Sequence, residues 1–324
     1  MEKYTLEAFE RYPMVRCRPE ETRDLEPDRF VFRTVSAPEA EKQGMFLLEV
    51  RRESLQQMAA LCSLPQAVGF TIVPGESDDA FLETAVRAMG EKRYIVPVSD
   101  CAQIRWAREK GVLGGLLVEI RDNPLDACEQ MAVQELQKMY RKVPVFVRNC
   151  GTGHSEAYAR QWHASMVENM PGTCAGWRIA LRRITYPRAV TSGGFAPMRF
   201  WWTNRGPAFV HEQTSVRLRL RMGEETIELP LADSPDQIGL GDRVYNEIVR
   251  MPDLPPGTYA MEYGLFGENG DSLMLCHAGR SGDGYYPAGM LCVDDIPRPE
   301  YEHIWDDYYA DGYYPLVDPP VPGT

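Results

Sequence analysis

The feature that most constrains this chain is a change of period near its middle. Through the first half, short β-branched runs alternate with segments of helical spacing. The runs are residues 30–35, 45–50, 68–73, 94–98, 116–120 and 143–147. Each is brief, apolar and flanked by polar turns, as strands covered on both faces are. Between them lie "ESLQQMAALC", "SDDAFLETAVRAM", "DCAQIRWAREK" and "PLDACEQMAVQELQKMY". Ser77 is the expected N-cap of the second, with Asp78 and Asp79 in its first turn. Asp100 caps the third, Gly111 stops it, and Pro124 opens the fourth. The fourth carries an apolar stripe of Leu125, Cys128, Met131, Ala132, Leu136 and Met139. Strand–helix alternation dictates a parallel α/β layer. Six strands in about 170 residues fall short of an eight-stranded barrel of ~250. The expectation is a reduced (β/α) barrel-like or open parallel-sheet domain over residues 1–172.

From about Gly176 the period becomes two. "VRLRLRM" sets Val216, Leu218, Leu220 and Met222 on one face and Arg217, Arg219 and Arg221 on the other. "PGTYAMEYGLF" alternates likewise, and Glu268-Asn-Gly-Asp has hairpin chemistry. Short alternating strands with regular turns predict an antiparallel β-sandwich over residues 173–294. In "MRFWW", Met198, Phe200 and Trp202 share one face, while Arg199 and Trp201 share the other. Trp201 is thereby a candidate sugar-stacking ring, and the arginine ladder the solvent side of the next strand. From Asp294 to the end stand eight acids and one base, Arg298, amid six Tyr and Trp rings. An aromatic-rich tail is not of disordered composition. Residues 295–324 are expected to fold back on the domains, their acids meeting arginines such as the ladder's. "DGYYP" occurs twice, at Asp283–Pro287 and Asp311–Pro315.

The net charge of −12 argues against nucleic acid as the main partner, because phosphate binding needs a basic field. No run of 18 apolar residues suggests a membrane span, and "MEKYTLEAFERYP" lacks the basic start and apolar run of a signal peptide. A cytoplasmic location is the expectation. The eight cysteines are widely spaced without a C-x-x-C pair, so they are expected as free thiols rather than zinc ligands. Neither a metal nor a cofactor is implied.

"GWRIALRRITYPRAVTSGGFAPMRFWWTNRGPAFVHEQTSVRLRL" resembles the β-sandwich that closes many glycoside-hydrolase-like proteins, the family called domain of unknown function 4832. The resemblance rests on Gly176-Trp177-Arg178, Ser192-Gly193 and Trp202-Thr203-Asn204-Arg205-Gly206-Pro207-Ala208, with "LPPGTYAMEYGLF" and "AGRSGDGYYPAGMLCV" behind them. It covers roughly residues 172–294. It implies an (α/β) barrel upstream, longer than the one available here, with overall likeness to β-galactosidase- or agarase-type hydrolases. It carries over no catalytic residue in the sandwich.

Parallel layers place sites at the carboxyl ends of their strands. Read there, the sequence offers Arg33, Glu49, Glu76, Asp100, Glu119, Arg148 and Asn149. Glu49 in "FLLEV" and Glu119 in "GLLVEI" stand at matching points and are the catalytic candidates for two-carboxylate glycoside chemistry. The others are candidate substrate contacts, joined by Trp162 and His163 from a loop expected near the pocket. Gly151-Thr-Gly153 lacks the Lys-Ser/Thr of a P-loop, and no G-x-S-x-G or H-E-x-x-H occurs. Two functions remain: a compact glycoside hydrolase acting on an oligosaccharide or glycoside, or a non-catalytic carbohydrate-binding or scaffold protein. Exposed strand edges in a short layer would invite a second copy of the chain.

Overall fold

The computed structural model describes residues 14–21, 27–37, 44–76, 78–121, 123–149, 155–229, 231 and 239–304. Its first strand, β1 (Met14–Cys17), belongs to the sandwich. The parallel layer starts at β2 (Phe32–Val35) and continues through β3 (Met45–Val50), β4 (Ala67–Ile72), β5 (Tyr94–Pro97), β6 (Leu113–Ile120), β7 (Val145–Asn149) and β8 (Met166–Glu168). These seven strands hydrogen-bond in sequence order, each pair parallel. The sheet curls until its ends meet, with Val31 bridging Val167 and the Thr34 amide donating to Glu168 Oε1 at 2.7 Å. The layer is therefore barrel-like and nearly closed. The strand edges that would have invited a second copy face each other instead. The seventh strand, β8, is three residues long and gives no periodic signal of its own.

Helices α1 (Leu55–Cys62), α2 (Asp79–Met89), α3 (Cys101–Glu109), α4 (Pro124–Val133) and α5 (Ser155–Gln161) occupy the crossovers from β3 onward. The cap of α2 is Asp78, whose side chain accepts from the Phe81 amide; Ser77 lies outside the described residues. Asp100 caps α3 by accepting from the Ala102 and Gln103 amides. Helix α4 ends earlier than its stripe predicts, because the chain turns through a positive φ of 55° at Glu135. Its buried face is Ala127 and Met131, with Leu136 beyond the helix, while Leu125 is 62% exposed.

Inside the barrel-like sheet, Phe32, Leu47, Ile95, Leu117, Phe146 and Met166 form one buried cluster, with Val68 against it. Six strands thus each contribute one side chain to an apolar floor. Seven strands enclose less space than eight, and glycine makes the room. A Cβ on Gly115 would stand 2.6 Å from Ile95 Cδ1, and one on Gly69 would stand 3.0 Å from Ile95 Cγ1.

The sandwich has two sheets. One is ordered β1, β9 (Ile179–Pro187), β11 (Phe195–Asn204), β14 (Gly241–Arg250). The other is ordered β10 (Ala189–Thr191), β16 (Tyr286–Asp294), β15 (Gly257–Gly267), β12 (Thr214–Met222), β13 (Glu225–Leu229). All pairs are antiparallel except β10 with β16. Trp202 meets Tyr263 edge-on at 6.0 Å in the core between them. The W-x-N-x-G motif has a structural role: Asn204 Oδ1 accepts from the Arg178 amide at 3.0 Å, and Arg205 N donates to the Arg178 carbonyl at 2.9 Å. Contacts divide the chain into one unit of Glu26–Trp177 with Gly206–His211, and another of Met1–Leu25, Arg178–Arg205 and Glu212–Thr324. The N-terminal residues expected in the α/β domain therefore group with the sandwich, since β1 pairs with β9. A short loop of the sandwich sequence groups with the barrel-like unit.

The arginine ladder stands on the outer side of β12 as expected, but its described acids are not those of the tail. Glu262 of β15 takes Arg219 Nε at 2.7 Å and Arg221 Nη2 at 2.8 Å, and Asp283 takes Arg219 Nη1. Arg217 stacks over Phe266. Of the tail, a 3-10 turn at Pro299–Glu302 is described, with Tyr301 buried and its hydroxyl donating to the Ala189 carbonyl at 3.3 Å. Residues 305–324, with the second "DGYYP", lie outside the described residues, as does Cys150. The seven described cysteines are free thiols. Among the described residues no helix is long and apolar enough to cross a membrane.

Candidate functional site

Side chains alternate across a strand, so the residue two further on from each floor residue shares its face. From Phe32, Leu47, Leu117, Phe146 and Met166 this step leads to Thr34, Glu49, Glu119, Arg148 and Glu168. The five meet at the carboxyl-end mouth of the sheet. Arg148 is the hub. Its Nε donates to Glu168 Oε2 at 2.8 Å, one terminal nitrogen donates to Glu119 Oε1 at 2.8 Å, and the other donates to Thr34 Oγ1 at 2.7 Å. The nitrogen on Glu119 also lies 3.6 Å from Glu49 Oε2. These side chains are between 10% and 20% exposed, so the cluster is neither sealed nor washed by bulk water. At the rim, Arg121 holds the second oxygen of Glu119 at 2.9 Å, and Arg51 lies 3.8 Å from Glu49. Three carboxylates thus face three guanidiniums.

Of the residues picked out in the sequence, the structure brings Glu49, Glu119 and Arg148 together. Asn149 ends β7 beside Ile120, and its side chain lies outside the described residues. The remaining candidates stand elsewhere. Arg33 is exposed on β2, between two residues that face inward, and so points away from the mouth. Glu76 accepts the Arg52 amide at 2.7 Å in the loop after β4. Asp100 is committed to capping α3. Trp162 and His163 lead into β8. Parallel strands all run one way, so this segment sits at the amino end, opposite the mouth. There His163 stacks on Tyr140 at 3.8 Å and bonds the Pro207 carbonyl through Nδ1 at 2.7 Å, while Trp162 is buried beside Tyr158. Trp201 is no open platform either. It is 9% exposed, sandwiched by Arg182 and Arg183, and donates to Asp242 at 2.9 Å.

Thr34, Thr71 and Glu168 join the site without having been singled out. Thr71 pairs in register with Glu49, is 2% exposed, and its Oγ1 has no hydrogen-bond partner among the described residues. Glu168 had a usable signal. "SMVEN" repeats the two apolar residues followed by Glu of "FLLEV" and "LLVEI".

The arrangement meets one condition for two-carboxylate chemistry and misses another. Glu49 Oε2 and Glu119 Oε1 can be no further apart than contacts of 3.6 Å and 2.8 Å laid end to end. That falls within the span used by glycosidases, about 5–9.5 Å between carboxyl groups. The space between them, however, holds the Arg148 guanidinium. Among the described residues no group of three or more His, Cys, Asp or Glu is arranged for a metal ion.

The fold and site define a barrel-like parallel sheet with a charged mouth, joined to an antiparallel sandwich. No family model matches the chain, and no curated protein matches it in sequence. Solved structures match it weakly. A Niemann-Pick type C2 protein from Japanese carpenter ant is 8% identical over 33% of this chain and 79% of its own, with a TM-score of 0.23. The CARDB domain of a Pyrococcus furiosus protein is 14% identical over 36% and 87%, with a TM-score of 0.23. A β-glucosidase from Listeria innocua in complex with glucose is 9% identical over 86% of this chain and 48% of that one, with a TM-score of 0.22. Likenesses of this size settle neither fold nor activity.

Proposed function

We propose that the mouth of the parallel sheet binds a neutral carbohydrate, on an architecture related to glycoside hydrolases. The observation that carries this reading is the convergence of Glu49, Glu119 and Glu168, from three separate strands, on Arg148. Three carboxylates balanced by three guanidiniums create no strong field of one sign, so a charged ligand gains little. Hydroxyl groups, which both donate and accept, exchange readily with such a ring of acceptors and forked donors. The unpartnered Thr71 hydroxyl beside Glu49 adds a further group for a sugar oxygen. The resemblance of residues 172–294 to the domain of unknown function 4832 supports the same ancestry. Recognition is favoured over hydrolysis because Arg148 occupies the space that a scissile bond would need. Calorimetric titration with a panel of neutral mono- and oligosaccharides, on the native chain and on E119Q, tests it. A saturable sugar whose affinity falls at least tenfold in E119Q is expected; binding to none of the panel, or equal binding by the variant, overturns the proposal.

A second reading, hydrolysis, is favoured by the closeness of Glu49 and Glu119 to one nitrogen. It requires Arg148 to move aside when substrate enters. Release of reducing sugar by the native chain, abolished in both E49Q and E119Q, would select it over simple binding.

A further inference from the structure

The sheet β1-β9-β11-β14 has one face in the sandwich core and one turned away. Register sorts its side chains. Phe200 pairs with Ile184 and Tyr245, and with Trp202 it faces the core. Arg199 pairs with Thr185 and Asn246, Trp201 with Arg183 and Val244, and Arg16 with Thr185. These residues form the outer face. The outer face of a two-layer sandwich meets water, and arginine there is ordinarily exposed. Yet Arg199 is 2% exposed, Thr185 3%, Arg183 7% and Trp201 9%. A basic, aromatic sheet face on the outside of the sandwich is covered.

We propose that its cover is the chain's own C-terminal segment, residues 305–324. The 3-10 turn at Pro299–Glu302 packs against β11, the strand that carries Arg199 and Trp201, and Ile304 after it is still buried. The segment therefore departs from beside this face. It contains four acids, Asp306, Asp307, Asp311 and Asp318, no base, and five aromatic rings. The face offers Arg16, Arg182, Arg183 and Arg199. Carboxylates pair with guanidiniums at a planar fork, and tyrosine rings stack on them. Four strands ~4.8 Å apart span only ~15 Å, which a few extended residues at ~3.3 Å each can cross. This assignment replaces the expected pairing of the tail with the β12 ladder, whose Arg219 and Arg221 are engaged by Glu262 and Asp283.

Two variants and one peptide test it. The chain ending at Ile304 should melt more than about 3 °C below the full chain, a shift that reports roughly 1 kcal/mol in a protein of this size. A labelled peptide of residues 305–324 should bind that shortened chain one to one and not the full chain, whose face is occupied. Its affinity should fall at least tenfold between low and high salt, as exposed charge pairing does. R16E in the shortened chain should weaken it several-fold. Where the shortened chain fails to fold, the full chain carrying D306N, D307N, D311N and D318N serves: it should melt lower than the native chain. Unchanged melting of both variants, or a peptide that binds the full and shortened chains alike, overturns the proposal. A truncation that converts a dimer into a monomer also overturns it, by assigning the cover to a second copy.

Discussion

The amide of Thr34 donates to Glu168 Oε1 at 2.7 Å across 134 residues of sequence. The other oxygen of the same carboxylate takes Arg148 Nε at 2.8 Å. One side chain thus joins the first strand of the parallel sheet to the last and both to the charged mouth. Glu168→Ala leaves the Thr34 amide and one edge of Arg148 unpaired, and breaking such a buried pair costs about 3–5 kcal/mol. Glu168→Gln keeps an acceptor for Thr34 and loses only the charge, so it should cost clearly less. Urea unfolding checks the order; equal losses would mean that this contact does not hold the strands together.

Much of this arrangement is legible in the sequence, and the missing parts have physical reasons. Five of the six apolar runs coincide closely with β2 to β6, because strands covered on both faces must be apolar throughout. Glu49 and Glu119 are visible as acids inside such runs. Their partner Glu168 is hidden because β8 has three residues, too few for any period. Thr34 carries no charge to draw attention, and its role arises only when the sheet curls. Trp162 and His163 mislead because proximity in sequence to a strand does not say which end of it the loop serves. The direction of β8 decides that, and β8 was the strand without a signal.

Arg148 separates three carboxylates that would otherwise face one another. Arg148→Met removes the charge while keeping the side-chain length, and leaves Glu49, Glu119 and Glu168 to repel. A loss of about 3–5 kcal/mol is expected, with loss of sugar binding. Arg148→Lys restores a charge without the planar fork and should recover only part of it. A double-mutant cycle of R148M with E119Q should give a coupling of about 1–3 kcal/mol. Additive effects would show that the 2.8 Å contact carries no energy.

Gly176, the first residue of the Gly-Trp-Arg motif, is required for two separate reasons. Its φ is 73°, and a Cβ there would lie 2.2 Å from the Phe30 ring, which itself meets Trp177 edge-on at 5.6 Å. Its amide and carbonyl are held by Ala164 and Ala208, so the backbone has little freedom to shift. Gly176→Ala should cost about 2–4 kcal/mol, part conformational and part steric. Adding Phe30→Leu relieves only the steric part. If G176A melts like the native chain, neither constraint operates.

Two buried histidines should make the protein acid-sensitive well above the carboxylate range. His277 Nε2 accepts the Leu181 amide at 2.7 Å, so its proton sits on Nδ1, toward the Glu20 carbonyl at 3.2 Å. Burial holds its pKa below the usual 6.5, with Arg205 pushing the same way and the Glu20 carbonyl and Glu21 opposing. Burial, aided by Arg93, lowers His211 further, to about 4, and its Nε2 has no hydrogen-bond partner among the described residues. Since folding depresses both values, the unfolded chain binds more protons below pH 6.5. The stability due to neutral imidazole is therefore complete above that pH and is lost as pH falls from 6.5 toward 4. For His211 the loss is at most roughly 3 kcal/mol, at about 1.4 kcal/mol per unit. His211→Phe removes the titrating group and the unpartnered nitrogen together. It should leave stability at pH 7 unchanged or raised, and flatten the decline measured by urea unfolding between pH 6.5 and 4.5. A variant that loses stability on acidification as steeply as the native chain would show that His211 is not the group being protonated.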